Sequence, residues 1–524
     1  MQVEKLPLIQ TNSYESIIRD YIQHKNEVAE FVNVFPDLAS FGRLIEERKY
    51  ESTKRILLNE VLVEQYSATL IADSVQNNID NILEGNTLTV TTGHQLCLYT
   101  GPLYFIYKII STIRLSQRLK DAYPDKNFIP VYWMASEDHD FEEINHAFLF
   151  GNKIEWKTDQ KGAVGIFSTD AAIAEMFEQT CMHFLNGAKY SDMIASAYSK
   201  SNLASAIRYL INELFGQYGL IIIDGADKKL KGSFKSTLRS EIFEHNGYRS
   251  VNKTIDFLRD NNYKIQVNPR EINLFFLEKG SRERIEQIDI NQWKVLGSDR
   301  VLSSAQMEEL IENEPEKLSP NVIVRPLYQE SILPNIAYVG GPGELAYWMQ
   351  LKSFFDEELI QFPALVLRDS ALLISQKGRQ RMEKLGLTTK QLFQDKALVL
   401  KQTLQSEETS FDNDKLSLIE AFQPIIDKVS AVDITLASAA RAELQKSLNS
   451  VDLLEKKMLR SLKLKEENKT SQIEKLWEEI YPYGLHQERH DNFFQFASVY
   501  EGDLIDDLMK HFDPLAAEMK VVYL

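Results

Sequence analysis

Four short apolar segments, each followed by a turn and a new polar or helical pattern, constrain the fold of this chain more than any other feature. They cover residues 88–92, 128–134, 219–224 and 336–339. Near-continuous apolar strands are typical of a parallel sheet that is covered on both faces. Strands that alternate with helices predict an α/β fold. Ligands of such sheets bind outside the carboxyl ends of the strands.

Helical patterns precede the predicted sheet. Residues 1–85 are predicted to form an N-terminal helical segment that packs on the core, because residues 14–31 and 44–83 carry apolar side chains at helical spacing. Later in the chain, residues 263–267 and 273–277 alternate like a small hairpin.

The core itself is predicted to extend over residues 86–370. We expect it to carry insertions at about 160–215 and 240–320.

A long helical seam follows the core. Residues 424–477 contain no glycine and no proline after Pro424, and their apolar side chains recur at steps of three, four or seven. We therefore predict one long helix within a coiled-coil domain over residues 371–480. Such a helix must pair with residues 375–405 or with a second subunit, and we expect a homodimer. Residues 481–524 are predicted to return to the core.

Composition excludes several classes of protein. The 59 basic and 76 acidic residues give a net charge of −17, which opposes binding to nucleic acid or to an anionic membrane. Cys97 and Cys181 form no metal-binding pair, and no zinc motif is present. The first residues lack a signal pattern and no apolar run approaches membrane-spanning length, so we expect a soluble, cytoplasmic protein.

The first candidate site follows the first strand, at Gly93-His94-Gln95. Backbone N–H groups in a glycine-bearing loop before a helix can bind an anion, and a histidine there can donate to it. His94 would equally fit as a helix cap or as a packed side chain. A Walker-type phosphate loop is absent from the sequence.

The second candidate site is Glu137-Asp138-His139-Asp140, at the end of an apolar strand. Four ionisable groups there are costly unless they contact a polar cleft or a cation. Carboxylates beside an imidazole suit acid–base catalysis or a divalent metal. A solvated turn would explain the same residues. His146 is a candidate for a third ligand by position, but its spacing matches no zinc motif.

The third candidate site is the loop Gly340-Gly341-Pro342-Gly343-Glu344, whose backbone can approach a ligand closely. Glu344 would then accept from an amine or a ribose hydroxyl, although a tight turn also explains the glycines. Upstream, Arg325 offers a bidentate grip on a carboxylate, or forms a surface ion pair. Cys97 has no defined base partner, which favours a buried apolar role.

Taken together, these motifs resemble the cysteine ligase family of bacillithiol biosynthesis, the BshC family. The resemblance spans nearly the whole chain in order, and its further elements are Gln266-Val267-Asn268-Pro269-Arg270, Ser319-Pro320-Asn321, Ala346-Tyr347-Trp348 and Leu485-His486-Gln487-Glu488-Arg489. One departure is His94, where the family usually has glutamine. The synthetase signatures His-x-Gly-His and Lys-Met-Ser-Lys-Ser are also absent, and Lys317-Leu318-Ser319 resembles the second only weakly.

The resemblance implies a Rossmann-like core related to class I aminoacyl-tRNA synthetases, with helical insertions and a C-terminal coiled coil that pairs subunits. It also implies the addition of cysteine to the amine of glucosaminyl-malate, with ATP and Mg²⁺ as expected cofactors. A nucleotide-responsive coiled-coil scaffold without catalysis is the alternative. Convergence of Asp138, His139 and Glu344 on one cavity would favour the enzyme, and scattered positions would favour the scaffold.

The residues expected to act fall into two groups. Those predicted to be catalytic are His94, Asp138, His139 and Asp140. No protein metal site is assigned, although the second motif would suit an amine or a metal. Those predicted to bind substrate or nucleotide are Gly93, Gln95, Thr100, Gly101, Tyr104, Glu137, Asn321, Arg325, Tyr338, Gly341, Gly343, Glu344 and Trp348.

Overall fold

Strands in this protein are short and widely spaced along the chain. The computed structural model describes residues 1–11, 14–169, 172–173, 176–177, 188–405 and 410–524. Its strands are β1 Gln2–Pro7, β2 Thr87–His94, β3 Asn127–Met134, β4 His146–Leu149, β5 Asn152–Glu155, β6 Ile221–Asp224, β7 Leu274–Glu278, β8 Ser281–Asp289, β9 Gln292–Val295, β10 Val301–Ser303, β11 Leu318–Pro320, β12 Asn335–Gly340, β13 Ala364–Leu367, β14 Ser370–Ile374 and β15 Glu518–Tyr523.

Helices account for most of the remaining regular structure. The α-helices in the described part of the chain are α1 Ser16–Ile22, α2 Leu38–Glu47, α3 Ser52–Tyr66, α4 Asp73–Asn81, α5 Leu103–Ala122, α6 Phe141–Ile144, α7 Ala188–Tyr198, α8 Leu203–Phe215, α9 Lys228–Gly232, α10 Lys235–Glu244, α11 Asn246–Asp260, α12 Ser304–Asn313, α13 Arg325–Ile332, α14 Pro342–Gln350, α15 Lys352–Glu357, α16 Gln376–Leu385, α17 Lys396–Leu404, α18 Asp412–Val432, α19 Ile434–Lys465, α20 Glu467–Ile480, α21 Phe493–Ala497 and α22 Leu504–His511.

Short 3₁₀ turns connect several of these elements. They are Leu8–Thr11, Asn26–Phe31, Leu98–Thr100, Val164–Ile166, Gly216–Tyr218, Pro315–Lys317, Thr389–Phe393, Pro482–Gly484 and Gln487–Arg489.

A five-stranded parallel sheet with the order β13-β12-β2-β3-β6 lies at the centre. Counted along the chain, these strands run 5-4-1-2-3, which is a doubly wound order with its switch point between β2 and β12. All four predicted strands lie within it, which confirms the α/β prediction and its Rossmann-like sheet.

The threonines of β2 explain how a polar strand is buried at the switch point. All of its residues are buried. The hydroxyls of Thr89 and Thr91 donate to Oδ1 of Asn335, at 3.1 and 2.8 Å, and Thr92 donates to the carbonyl of Val339 at 2.7 Å. These three buried hydroxyls therefore have partners on β12, which fixes the two strands that flank the switch point.

An antiparallel sheet with the order β10-β9-β8-β7-β11 forms the second insertion. The predicted hairpin between residues 263–267 and 273–277 is wrong, because β7 pairs with β8 and β11 instead. Residues 263–267 form no strand: Oε1 of Gln350 accepts from the backbone N–H groups of Gln266 and Val267, at 2.7 and 3.2 Å. A side chain thus supplies the partner that a strand would have supplied.

A three-stranded sheet with the order β1-β15-β14 joins the two ends of the sequence. Strand β1 was not expected, since residues 1–85 were predicted to be helical. Residues 44–83 form parts of three helices. A strand whose partner lies at positions 518–523 leaves no local pattern. Within residues 481–524, strand β15 pairs with β1 and β14.

The single long helix predicted for residues 424–477 is wrong. The chain turns back at Asp433 and breaks again at Glu466, so α18 and α19 form an antiparallel hairpin that is followed by α20. Lys415 near the start of α18 pairs with Asp452 and Glu455 of α19, at 2.6 and 2.7 Å. Part of the apolar seam therefore packs within its own chain.

The first insertion, predicted at about 160–215, is described only in part, and Cys181 lies outside the described residues. None of the described helices is both long and apolar enough to cross a membrane.

A buried ion pair attaches the three-stranded β1-β15-β14 sheet to the core. Lys520 of β15 donates to Oδ1 of Asp369, and neither side chain is more than 1% exposed. We expect Lys520→Met to lower the free energy of unfolding by about 3–5 kcal/mol, because it leaves a buried carboxylate without its cation. Thermal or urea unfolding measures this loss.

Two variants control that experiment. Lys5→Met breaks a partly exposed pair with Glu518 on the same sheet, so it should change stability by less than about 1 kcal/mol. The double variant Asp369→Asn with Lys520→Met should recover part of the loss. Equal effects of Lys520→Met and Lys5→Met would contradict the prediction.

Candidate active site

One cavity of about 670 Å³ opens at the carboxyl ends of the parallel strands, at the switch point. The ends of β2, β3 and β6 contribute to it, as do the β12–α14 loop and the start of α13. The inserted antiparallel sheet covers it with Phe275 and Arg282. Two further cations, Arg368 and Arg489, come from the region where the core meets the C-terminal segment.

Most residues predicted for the site line this cavity, so the strand ends converge as expected. The lining residues among them are Gly93, His94, Gln95, Tyr104, Glu137, Asp138, His139, Asp140, Asn321, Arg325, Tyr338, Gly341, Gly343 and Glu344.

Three predicted binding residues do not line it. Thr100 and Gly101 have positive φ values of 71° and 63° and lie in a buried turn, where Nδ2 of Asn492 donates to the carbonyl of Gly101 at 2.7 Å. Trp348 stacks on Tyr338 with ring centroids 4.1 Å apart. All three residues contact other parts of the protein instead of lining the cavity, so the predicted contact with ligand is corrected to a structural role.

An acidic cluster, Asp138, His139 and Asp140, follows β3. Nε2 of Gln95 donates to Oδ2 of Asp138 at 2.8 Å. NH1 of Arg282 donates to Nδ1 of His139 at 2.8 Å and lies 3.8 Å from Asp138. Because Nδ1 accepts, the imidazole proton resides on Nε2. The cluster is therefore held in place by groups from two other segments and keeps Asp140 exposed.

Glu137 is an anchor rather than a free carboxylate. Nζ of the fully buried Lys231 donates to both of its oxygens, at 2.8 and 3.0 Å, and to the carbonyl of Leu318 at 2.7 Å. This contact fixes the start of the acidic cluster against α9 and the inserted sheet.

His94 is neutral at physiological pH. Its Nδ1 donates to the carbonyl of Gln95 at 3.0 Å. Burial, aided by the nearby Lys108 cation, lowers the pKa of His94 to about 4. Its neighbour Cys97 is also uncharged, because burial raises the pKa of that thiol to about 12. His94 can accept a hydrogen bond in the cavity, but it cannot act as a proton donor in the way an imidazolium would.

Glu344 is saturated by protein groups, which corrects the expectation that it would be free to bind an amine or hydroxyl. Lys108 contacts both of its oxygens, at 2.8 and 2.9 Å, the Tyr338 hydroxyl donates to one, and the N–H of Gly341 donates to the other at 2.8 Å. Burial would raise the pKa of Glu344, but these partners lower it overall. The carboxylate caps α14 and fixes the loop.

Arg325 has no carboxylate partner in the described part of the chain. Its NH1 donates to Gln329 at 3.1 Å and its NH2 donates to the Tyr347 hydroxyl at 3.2 Å. The surface ion pair considered from sequence is therefore absent there. A Cβ added at Gly93 would lie 3.4 Å from NH1 of Arg325, so glycine keeps β2 close to this cation.

Asn321 serves the backbone as well as the cavity. Its Oδ1 accepts from the N–H of Ile323 at 2.8 Å, which shapes the turn before α13.

The acidic cluster also satisfies the distance requirement for a metal ion. One ligand atom from each of Asp138, His139 and Asp140 lies within 4.8 Å of the others. Arg282 already occupies the acceptor nitrogen of His139, which makes a three-ligand protein site unfavourable. His146 does not line the cavity, and its Nδ1 contacts Asn145.

Sequence reasoning missed five cations of the site: Lys108, Lys231, Arg282, Arg368 and Arg489. Each lies in an ordinary helix, strand or loop with no local motif, and only the tertiary fold brings them together. Arg489 belongs to one of the segments that carry the family resemblance, which was the one available signal.

The fold and the cavity define a Rossmann-like α/β protein with a small-molecule site at the switch point and a C-terminal helical hairpin. A family model described as "Bacillithiol biosynthesis BshC, N-terminal Rossmann-like domain" matches residues 1–369. A second, "Bacillithiol biosynthesis BshC, C-terminal coiled-coil domain", matches residues 371–524. The chain therefore belongs to the BshC family of bacillithiol biosynthesis.

Similar curated proteins carry the name "Putative cysteine ligase BshC". One from Christiangramia forsetii is 40% identical over 98% of this chain and 97% of its own length. One from Flavobacterium psychrophilum is 40% identical over 97% of each chain, and one from Salinibacter ruber is 29% identical over 87% and 86%. A solved structure titled as a putative arginyl-tRNA synthetase from Campylobacter jejuni covers 85% of this chain and 95% of that one, at 10% identity and a TM-score of 0.20, which is too low to bear on the fold.

The lowered pKa of His94 makes a testable link between pH and stability. Between about pH 6.5 and 4 the unfolded chain binds a proton at this histidine that the folded chain does not bind, so the folded state loses stability as the pH falls. His94→Gln should remove up to about 1.4 kcal/mol per pH unit of this slope. Urea unfolding at a series of pH values measures it.

A wild-type slope in the His94→Gln variant would show that His94 does not stay neutral in the folded state.

Proposed function

We propose that this protein catalyses the ATP-dependent addition of L-cysteine to the glucosamine amine of glucosaminyl-malate. ATP activates the carboxylate of cysteine, the amine attacks the activated carbonyl, and an amide bond forms as the phosphate-bearing group leaves. Membership of the BshC family supports a role in bacillithiol biosynthesis, and the name of its relatives supports cysteine as a substrate. The observation that carries the proposal is the convergence of Asp138, His139 and Glu344 on one cavity.

That convergence favours an enzyme over the alternative of a scaffold. A non-catalytic protein has no need to collect an acidic cluster and several buried cations at the switch point of its sheet, where desolvation of each charge is costly. The cavity also has the volume of a small-molecule site.

The acidic cluster suits the amine. Asp138 would accept a hydrogen bond from the glucosamine amine and take up the proton released when the amide forms. Arg282 and Gln95 would hold Asp138 in position during this step, as they do in the free protein. Neutral His94 would accept a hydrogen bond beside the loop of Gly93, where the activated carboxylate is expected.

Magnesium would enter with ATP. The ion neutralises phosphate charge and needs only one or two protein carboxylates, for which the exposed Asp140 is available while Asp138 takes up the proton. A cytoplasmic location follows from this proposal, since ATP and cysteine are supplied there.

Asp138→Asn should reduce product formation by at least about a hundredfold, because the side chain of asparagine cannot take up the proton that the amine releases. The assay mixes purified protein, cysteine, ATP and glucosaminyl-malate, and detects cysteinyl-glucosaminyl-malate by mass spectrometry. Measuring AMP and ADP in the same samples identifies the form of activation.

Asp121→Asn is the matched control, because Asp121 is exposed on α5 and does not line the cavity. Thermal midpoints should be similar for both variants. Absence of product with the wild-type protein would refute the proposed reaction, and full activity of Asp138→Asn would refute the role of the cluster.

We also propose that the protein is a homodimer through the hairpin of α18 and α19. Several apolar side chains remain exposed on it, among them Val432, Leu453 and Leu454, at 83%, 59% and 58%. Apolar surface of this kind on paired helices is typical of a subunit interface.

Replacing both Leu453 and Leu454 by Asp should dissociate the dimer, because it introduces charge into the apolar contact. Light scattering after gel filtration should then give the mass of one chain, 60.4 kDa. Gln76→Glu with Asn77→Asp adds the same charge on exposed positions of α4, outside the hairpin, and should leave the dimer intact. A wild-type protein that is already monomeric would contradict the proposal.

A further inference from the structure

Arg368 is a buried cation whose Nε donor has no hydrogen-bond partner within the described residues. Its side chain is 2% exposed, and its NH1 and NH2 groups donate to the two oxygens of Glu488 at 3.0 and 2.7 Å. NH1 also donates to the carbonyl of Asp369 and to Ser370. Nε has no hydrogen-bond partner within the described residues, although the side chain lines the cavity. A buried donor without a partner is costly and suggests a missing acceptor.

Two further donors, Arg489 and Tyr104, line the same cavity. Arg489 lines the same cavity, is exposed, and has no ion-pair partner for its guanidinium in the described chain. The guanidinium of Arg368 lies 5.4 Å from the centre of the Tyr104 ring, and burial raises the pKa of Tyr104, so its hydroxyl remains a donor.

The start of α14 adds backbone donors beside them. A Cβ added at Gly341 would lie 3.8 Å from Nε of Arg368, so the loop and the cation are adjacent. Helix α14 has nine residues, and the N–H groups of Gly343 and Glu344 have no partner within the helix. Gly343 has a negative φ and a Cβ there would meet no protein atom within 4 Å, so neither backbone strain nor packing requires glycine.

The charges nearby leave this region positive. Glu344 balances Lys108, and Glu488 balances Arg368. Arg325 and Arg489 remain without a carboxylate partner in the parts of the chain that are described.

We propose that Arg368, Arg489 and the start of α14 form a subsite for a carboxylate or phosphate group of a substrate. Nε of Arg368 and the guanidinium of Arg489 donate to the anion, and the N–H of Gly343 completes the contact. The choice of ligands rests on the proposed function, in which both the malyl carboxylates and the phosphates of ATP are available. Arg489 then determines specificity and comes from the C-terminal segment rather than from the core.

Calorimetric titration of the full-length protein without cysteine tests the subsite, because no reaction then occurs. The variant Arg489→Gln should weaken binding of one anionic ligand by about tenfold or more. Loss confined to glucosaminyl-malate, with ATP binding and methyl glucosaminide binding unchanged, identifies a carboxylate. Loss confined to ATP identifies a phosphate.

Two further variants sharpen the result. Gly343→Ala adds a methyl group without a protein clash and should weaken the same ligand as Arg489→Gln. Arg460→Gln removes the same charge from an exposed position outside the cavity and should have no effect. Unchanged affinities in Arg489→Gln, or equal losses in Arg489→Gln and Arg460→Gln, would overturn the proposal.

L-Malate and inorganic pyrophosphate, titrated alongside, keep this test separate from the proposed reaction. Binding of either probe that depends on Arg489 would support the subsite even in a protein that forms no amide. An active enzyme whose ligands bind equally well to wild type and Arg489→Gln would retain the proposed function and lose the subsite.

Discussion

The ion pair between Lys108 and Glu344 holds the two sides of the switch point together. Lys108 lies on α5, after β2, and donates both to Glu344 and to the carbonyl of Gly93. Glu344 in turn caps α14, after β12. A parallel sheet brings the carboxyl ends of its strands to one edge, but this pair sets how far apart the two loops lie. The distance between His94 and the β12–α14 loop depends on it.

The cavity is assembled from segments that are far apart in the chain. The acidic cluster comes from β3, its guanidinium partner Arg282 from the inserted sheet, and Arg489 from the C-terminal segment. The insertion that contains the antiparallel sheet is therefore part of the site. A Rossmann-like core without it would lack Arg282, the cation that contacts both Asp138 and His139.

The sequence predicted the sheet well because its signal is local. An apolar run of β-branched residues followed by a turn is visible without knowledge of tertiary structure, and the acidic cluster and the glycine loop could be found for the same reason. The pairing of β1 with β15 could not, since it depends on residues at opposite ends of the sequence. The break at Asp433 was missed because a heptad-like seam continues in sequence through the turn, although the chain reverses there.

Side-chain partners were the least predictable part. Glu344 was expected to be free, and only the fold shows that Lys108, a residue on another helix, already binds it. Thr100 and Trp348 lie beside motif residues in sequence and still point into the protein, because adjacency in sequence does not decide which side chains line a cavity. The β1-β15-β14 sheet also affects folding during synthesis. Strand β1 and Asp369 are both synthesised before β15. Until β15 has been made, β1 therefore keeps an open edge and the carboxylate of Asp369 lacks its cation, Lys520. Protection of that edge during synthesis therefore falls to the surrounding helices or to chaperones.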